Sequence, residues 1–281
     1  MTRLLPGKKE LEKGQAVLVV LLVMSVILTL GLSAVSRSVT DVKISQQSQE
    51  SARAFWTAQA GLEKALLAQS DIPDSTIDGV SYAVTKSALG GGTDFVFPEK
   101  IEVGENFVYW LVNHNSDGSI GTDIADFYQG DNLTIYWGNQ GDSPALVAAL
   151  VYKDTSGNFR SRKFAYDPVT RSPATNFSLP DSGTDFSFGG NTFAYKATIS
   201  GLLSLPGYDR KPYFVNIKMI YNTTSQILGV RTVGNGPVQG SCYESKATVT
   251  VSNIVRNLKE CRTWPQTPGI FDYLLFSGGD I

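Results

Sequence analysis

The sequence predicts an α+β protein in which a long N-terminal transmembrane helix continues as an amphipathic helix. A mostly antiparallel, β-sandwich-like ectodomain follows it. Three observations lead to this prediction. Residues 14–36 carry no charge, residues 37–72 contain no proline and one glycine, and short strand-like segments separated by turn residues fill the chain beyond about residue 126.

The apolar segment has the length of a membrane span. Residues 16–35 are almost wholly apolar, and about 20 residues of helix rise about 30 Å, the thickness of the hydrocarbon core of a bilayer. A secretory signal has a shorter apolar core of about 7–15 residues. The segment therefore favours a permanent span, and the small residues Ser33, Ala34 and Ser36 leave a cleaved signal as the alternative.

The residues before the span indicate its orientation. Lys and Arg beside a span favour the cytoplasmic side of the membrane. Four such residues precede this span, against Glu10 and Glu12: Arg3, Lys8, Lys9 and Lys13. The sequence therefore predicts a single-pass protein with a cytoplasmic N-terminus.

Beyond the membrane the helix has two faces. One stripe recurs at alternating steps of four and three residues, which places its members on one side of a helix: Ile44, Ser48, Ser51, Phe55, Ala58, Leu62 and Ala65. The other side is polar: Lys43, Gln47, Glu50, Thr57 and Lys64. The second half of the stripe, from Phe55, is apolar enough to dock on a globular domain.

The ectodomain has the pattern of an antiparallel sheet protein. Residues 151–166 predict a hairpin around residues 154–158, because Asp, Gly and Asn lie between two strand-like runs. In residues 213–222 the apolar set Val215, Ile217, Met219 and Tyr221 alternates with the remaining residues, as in a half-buried strand. Residues 244–258 are predicted as the last clear strand.

These patterns divide the chain into five ranges. A polar segment over residues 1–14 precedes the span, and we predict the transmembrane and amphipathic helix over 15–70 and a first β region over 71–125. A β-sandwich-like region over 126–258 and a C-terminal tail over 259–281 complete the chain.

Composition argues against several functions. The net charge of −2 gives no basic surface for nucleic acid. The one histidine, His114, lies in a turn-like stretch, and no Gly-x-Ser-x-Gly elbow accompanies it. We therefore expect no enzyme activity.

A partial calcium-loop pattern occurs at Asn113, Asn115 and Asp117, which have the spacing of the first ligands of such a loop. The twelfth position holds Ile124 where the loop requires Glu. A hairpin turn explains the same residues through their turn propensity. Calcium is the one cofactor that the sequence leaves open.

The two cysteines, Cys242 and Cys261, both lie in the outward-facing part of the chain. Disulfides persist in that environment, and the even number agrees with a bridge. A pair of free thiols is the alternative.

The N-terminal segment resembles that of type IV pilins and type II secretion pseudopilins. The residues that carry the resemblance are the basic leader ending in Lys13-Gly14, the span that follows at once, and the stretch AFWTAQAGLEKAL at residues 54–66. This stretch is similar to the aromatic-Ala-x-x-Ala-Gly-Leu signature of PilX-like minor pilins. The resemblance covers residues 14–66.

Two positions depart from the pattern of major pilins. The first mature residue is Gln15 rather than Phe or Met, and the fifth is Val19 rather than Glu. A carboxylate within the bilayer is costly without a partner, and in the family it is thought to pair with the N-terminal amine of a neighbour. The resemblance therefore implies a minor or tip subunit.

The family gives specific expectations for this chain. A prepilin peptidase would cut between Gly14 and Gln15 and methylate the new N-terminus. The helix, including Val19, Phe55, Ala58, Gly61 and Leu62, would pass from the inner membrane into the core of an extracellular filament among other pilin subunits. A C-terminal disulfide loop is also similar to that of many pilins.

The ectodomain would then serve assembly or adhesion, with an extracellular ligand as a further partner. The alternative is a permanently signal-anchored surface protein whose β-sandwich binds carbohydrate or protein.

Overall fold

The structure, a computed structural model, describes residues 11–139 and 141–266. The first ten residues of the predicted leader and the last part of the predicted tail, from residue 267, lie outside the described residues. The described chain forms one α-helix, followed by strands and two short 3-10 helices (Ile124–Asp126 and Leu202–Ser204): α1 (Leu11–Ala68), β1 (Ile72–Ile77), β2 (Val80–Gly90), β3 (Asp94–Val96), β4 (Asn106–Trp110), β5 (Leu133–Trp137), β6 (Ala145–Asp154), β7 (Phe159–Tyr166), β8 (Asp181–Phe188), β9 (Asn191–Ile199), β10 (Tyr208–Ile220), β11 (Leu228–Thr232), β12 (Val238–Val249) and β13 (Val255–Thr263).

The helix α1 is continuous, as the sequence predicted. Its apolar part contains few polar side chains, and two of these bond to the backbone of the preceding turn. The hydroxyl of Ser25 donates to the carbonyl of Leu22 at 2.8 Å, and that of Thr29 donates to Val26 at 2.8 Å. These bonds satisfy groups that lipid cannot. The helix ends at Ala68, and the φ of 51° at the next residue, Gln69, is left-handed, as is common just after the end of a helix.

The strands form three sheets. Their orders are β1-β2-β12-β13, β4-β10-β6-β7 and β3-β11-β5-β9-β8. Neighbouring strands in the second and third sheets are antiparallel where their registers are known. The α+β class with a mostly antiparallel body is therefore confirmed.

The second and third sheets contribute to one hydrophobic core. Trp137 on β5 and Ile217 on β10 are both fully buried in it. The larger apolar side chains of this core come from both sheets: Tyr109, Leu146, Leu150, Val215, Ile217 and Met219 from one, and Phe95, Leu133, Ile135, Trp137, Ile199, Leu228 and Val230 from the other.

The predicted hairpin is confirmed. Strands β6 and β7 are antiparallel, with Leu146 opposite Tyr166 and Lys153 opposite Phe159. At the turn, Oδ1 of Asp154 accepts the backbone N–H of Asn158 at 2.8 Å, and its Oδ2 accepts Nε of Arg160 at 2.9 Å. Asp154 therefore closes the turn through side-chain bonds.

The pattern along β10 is confirmed at three of its four apolar positions. Val215, Ile217 and Met219 are buried, but Tyr221 follows the strand and its side chain is 52% exposed. Asn216 on the opposite face is also buried, and its Oδ1 accepts Nδ2 of Asn106 at 2.7 Å. The polar side chain of Asn216 is therefore bonded to another side chain, whereas the sequence pattern predicted that this face of the strand is exposed to solvent.

One predicted strand was wrong in extent. Residues 244–258 were predicted as a single strand, but β12 ends at Val249 and β13 begins at Val255. Between them Asn253 has a φ of 55°, and its N–H donates to the carbonyl of Val249 at 2.9 Å. Asn tolerates this left-handed conformation, so the segment folds back as a hairpin.

The described chain divides into two compact units. The first contains α1 as far as Gly61, Pro73–Ala83 and Ser245–Leu258, and the second contains Leu62–Ile72, Val84–Glu244 and the chain from Lys259. The five ranges drawn from the sequence stay a prediction. Strands β3 and β4, which precede residue 126, pair with β11 and β10, which follow it.

Candidate assembly surface

The first part of α1 presents an exposed apolar surface. From Ala16 onward α1 is the one helix in the described part of the chain that is long and apolar enough to cross a membrane, and its most apolar window has a mean hydropathy of 2.7 and is 0% buried. Val19 is 58% exposed and Leu28 is 66% exposed. The length and apolar character of this helix fit a single-pass anchor. A signal sequence near an N-terminus has the same two properties.

The second part of α1 buries a face different from the predicted stripe. Its buried residues are Ala54, Thr57, Ala58, Gly61, Leu62 and Ala65. The prediction for Ala58, Leu62 and Ala65 is correct. Phe55, which was predicted to dock, is 40% exposed, and Thr57, which was predicted to be polar and outside, is 8% exposed. Small residues at positions 54, 57, 58 and 61 allow close packing, so the buried face is rotated away from the larger Phe55.

Gly61 is the point of closest approach in this face. A Cβ atom placed on Gly61 would lie 2.5 Å from Cδ2 of Tyr82 and 3.2 Å from Oγ of Ser245. Tyr82 on β2 is itself buried, so its ring has little room to move. The glycine therefore lets the sheet pack directly against the helix within the first unit.

Two arginines hold the flanks of this contact. A guanidinium nitrogen of Arg53 on α1 donates to the carbonyl of Asp78. Arg256 on β13 donates from Nε to the hydroxyl of Ser51 at 3.0 Å. Both bonds join α1 to other segments of the same unit.

An aromatic pair remains exposed on α1. The rings of Phe55 and Trp56 meet edge to face at 5.3 Å, and Trp56 is 63% exposed. Trp56 also lines a cavity of about 270 Å³ together with Ile77. Twenty residues of helix separate Phe55 from Val35, the last residue of the apolar segment, which is a rise of about 30 Å. Sequence reasoning grouped Phe55 with the buried stripe.

The predicted disulfide is present. Cys242 on β12 is bonded to Cys261 on β13. Both cysteines belong to the second unit. The bridge links β12 and β13 at a point several residues away from the turn that connects them.

The residues of the calcium-like pattern form a turn. Oδ1 of Asp117 accepts both the backbone N–H of Ser119 at 2.9 Å and its hydroxyl at 2.6 Å, and these bonds lower the pKa of Asp117. Nδ2 of Asn115 donates to the hydroxyl of Ser119 at 2.9 Å, and Oδ1 of Asn113 accepts the N–H of Val238 at 3.2 Å. Within the described residues no group of three or more His, Cys, Asp or Glu side chains is placed to hold a metal ion.

His114 lies between two tryptophans. Its ring stacks on that of Trp264 at 4.6 Å and meets the edge of Trp110 at 4.6 Å. Its Nδ1 atom is buried without a hydrogen-bond partner in the described part of the structure. Burial lowers the pKa of His114. These contacts give the residue a packing role.

Lys13, Gly14 and Gln15, the predicted processing residues, lie in the first turns of α1, and their side chains lie outside the described residues. Neither a model of a known protein family nor a curated protein matches this chain. The candidate assembly surface therefore consists of the exposed apolar part of α1 and the exposed pair Phe55 and Trp56.

Proposed function

We propose that this protein is a minor pilin or pseudopilin subunit that is cut after Gly14 and enters a type IV pilus-like filament. The observation that carries the proposal is the continuous helix α1. It contains Lys13-Gly14 in its first turn, exposes an uncharged apolar surface from Ala16 to Val35, and docks on the protein only through its last part.

The apolar side chains of such a helix must be covered both before and after assembly. In the inner membrane, lipid covers the side chains between Ala16 and Val35. Outside the membrane the same side chains must be covered by protein, because apolar surface in water is unfavourable. The helices of neighbouring pilin subunits in a filament core supply that cover.

The ectodomain supports display at the surface of a filament. We propose that its two larger sheets form a β-sandwich, since they contribute to one hydrophobic core. The disulfide between Cys242 and Cys261 suits an oxidising extracellular location. In this proposal the N-terminus is cytoplasmic before assembly, and the ectodomain primes assembly or mediates adhesion.

The absence of a carboxylate at Val19 favours a minor or tip position. A subunit that cannot pair with the amine of a neighbour through this position depends on other contacts for its place in the filament. The exposed rings of Phe55 and Trp56 are suitable contacts, since exposed apolar patches commonly mark interaction sites.

Filament recovery tests the proposal. The full chain with a C-terminal tag would be expressed in a host that assembles the filament, and filaments sheared from the cells would be separated from membranes. We expect the wild-type chain in the sheared fraction together with pilin subunits, and the variant Gly14→Val in the membrane fraction.

Gly31→Ala is the matched control, because Gly31 lies in the same helix and a Cβ there meets no atom within 4 Å. It should behave like the wild type. Recovery of the wild-type chain in membranes alone, while pilin subunits enter the sheared fraction, would support a permanently anchored surface protein instead.

A further inference from the structure

A cavity in the second unit, lined by both polar and apolar groups, has the composition of a sugar-binding site. Its volume is about 220 Å³, and it lies among the end of α1, strand β2, the turn after Asn113, and the ends of β12 and β13. Two aromatic residues, Tyr243 and Trp264, and two basic residues, Lys86 and Arg262, line it together with hydroxyl groups such as that of Ser241.

The ring of Trp264 is held in place before any ligand arrives. One face stacks on His114 at 4.6 Å with an interplanar angle of 16°. Its Nε1 donates to the carbonyl of Val238 at 2.8 Å, and its backbone N–H donates to Gln239 at 2.8 Å. A fixed aromatic ring at the wall of a cavity is a platform for the apolar face of a sugar ring, and its fixed position lowers the entropy cost of binding.

The basic residues retain hydrogen-bond donors. Nζ of Lys86 donates to the carbonyl of Gln69 at 2.8 Å and lies 5.9 Å from the centre of the Tyr243 ring. An ammonium group has three donors. The structure gives Lys86 no carboxylate partner among the described residues. Arg262 pairs through Nε with Glu260 at 2.7 Å, which leaves the terminal nitrogens of its guanidinium.

Two other acidic residues near the cavity are already hydrogen-bonded. Oδ1 of Asp71 accepts the backbone N–H of Lys86 at 2.6 Å, and Asp117 accepts both groups of Ser119. Since Glu260 balances Arg262, the ammonium of Lys86 is the basic group in the cavity that lacks an ion-pair partner. A ligand with one carboxylate would provide the ion-pair partner of Lys86.

The disulfide fixes two walls of the cavity. Ser241 and Tyr243 flank Cys242 on β12, and Arg262 follows Cys261 on β13. The covalent link therefore sets the separation of the aromatic and basic side chains.

We propose that this cavity binds a sugar that carries a carboxylate, of the uronic acid class. The ring stacks on Trp264, and the carboxylate accepts from Lys86 and Arg262. The proposal does not depend on cleavage at Gly14, since the cavity is formed by the ectodomain in either case, so each proposal can fail alone.

A matched pair of ligands tests the inference. D-glucuronate and D-glucose differ in a carboxylate and a hydroxymethyl group, and their binding to the full chain in detergent would be measured by ligand-observed NMR at millimolar concentrations. We expect glucuronate to bind about tenfold tighter, which is the effect of one hydrogen bond to a charged group. Acetate, the carboxylate without the ring, should bind more weakly than glucuronate.

Variants separate the two parts of the site. Lys86→Gln should weaken glucuronate about tenfold and leave glucose unchanged, while Trp264→Ala should weaken both sugars. Lys246→Gln, at an exposed lysine on β12, and Phe159→Ala, at an exposed aromatic residue on β7, are the matched controls, and both should bind like the wild type.

The inference would be overturned by no binding of glucuronate, by equal binding of glucuronate and glucose, or by glucuronate affinity that Lys86→Gln leaves intact. Acetate binding as tight as that of glucuronate would also overturn it, because the ring would then contribute nothing. Lys86 is on the cavity wall and not in the core, so this variant keeps the test valid if Trp264→Ala fails to fold.

Discussion

Gly61 is the residue on which the contact between helix and sheet in the first unit depends most directly. The variant Gly61→Ala places a methyl group 2.5 Å from the Tyr82 ring. Overpacking of this kind costs about 1–3 kcal/mol. Since any Gly→Ala change in a helix also gains about 1 kcal/mol of helix propensity, we expect a loss of that size in the free energy of unfolding relative to the variant Gly31→Ala, measured by denaturant titration of the full chain in detergent.

Gly31→Ala is again the control, because its methyl group meets no neighbour. Helix propensity favours Ala over Gly by about 1 kcal/mol, so this variant should be as stable as the wild type or slightly more so. Equal stability of the Gly61→Ala and Gly31→Ala variants would show that the helix does not pack closely on Tyr82.

His114 gives the stability of the protein a specific dependence on pH. Burial lowers the pKa of His114 in the folded state. In the unfolded chain the pKa of a histidine is about 6.5. Between these two values the unfolded state binds more protons, so stability is lost as pH falls below about 6.5 towards the folded pKa. Denaturant titrations at several pH values would measure this slope.

The chain has one histidine, so the variant His114→Gln is a clean comparison. No other side chain has an ordinary pKa in this range. The variant should lose the slope just below pH 6.5 and keep the losses at lower pH that come from carboxylates with lowered pKa, such as Asp94 and Asp154. A slope that persists in the variant would contradict this account.

At the scale of the element, the disulfide determines how firmly β12 and β13 are joined. It closes a loop with a sequence separation of 19 residues. In the loop-entropy model such a bridge stabilises the folded state by about 3 kcal/mol. The double variant Cys242→Ser/Cys261→Ser should lose about this much, measured by denaturant titration without reductant.

The wild-type protein in a reductant should show a similar loss, which separates the bridge from the serine substitutions. Each single serine variant leaves one thiol and should also lose the effect of the bridge. An unchanged free energy of unfolding in the double variant would mean that the rest of the hairpin holds the two strands without the bridge.

The sequence was informative about single elements and less so about their faces. The extent of α1 was predictable because no proline or charged residue interrupts its first part. The buried face was placed too close to Phe55, because the predicted stripe through Phe55 and the observed stripe through Ala54 share Ala58, Leu62 and Ala65. Only the contact of Gly61 with Tyr82 decides between them, and that contact depends on tertiary packing.

For the whole molecule, the α+β class was predictable from one apolar segment and a series of short strands. The strand order was not, because β4 pairs with β10 and β3 pairs with β11 across more than one hundred residues of chain. Local patterns carry no information about such pairings. The cavity near Trp264 was missed for the same reason, since Lys86, Tyr243 and Trp264 lie far apart in sequence.

The assignment as a pilin subunit depends on whether the leader is removed from the N-terminus. A subunit that leaves the membrane for a filament is first released from its leader, whereas a permanent anchor keeps it. Both forms have the same helix and the same ectodomain, so the covalent start of the chain distinguishes them.

The most direct measurement is the N-terminal mass of the protein extracted from membranes of cells with and without the prepilin peptidase. The account predicts a terminus at Gln15, carrying a methyl group, that appears only when the peptidase is present. A chain that starts at Met1 or Thr2 in both strains would contradict the pilin assignment, and a terminus beyond Ser33 would indicate a cleaved secretory signal.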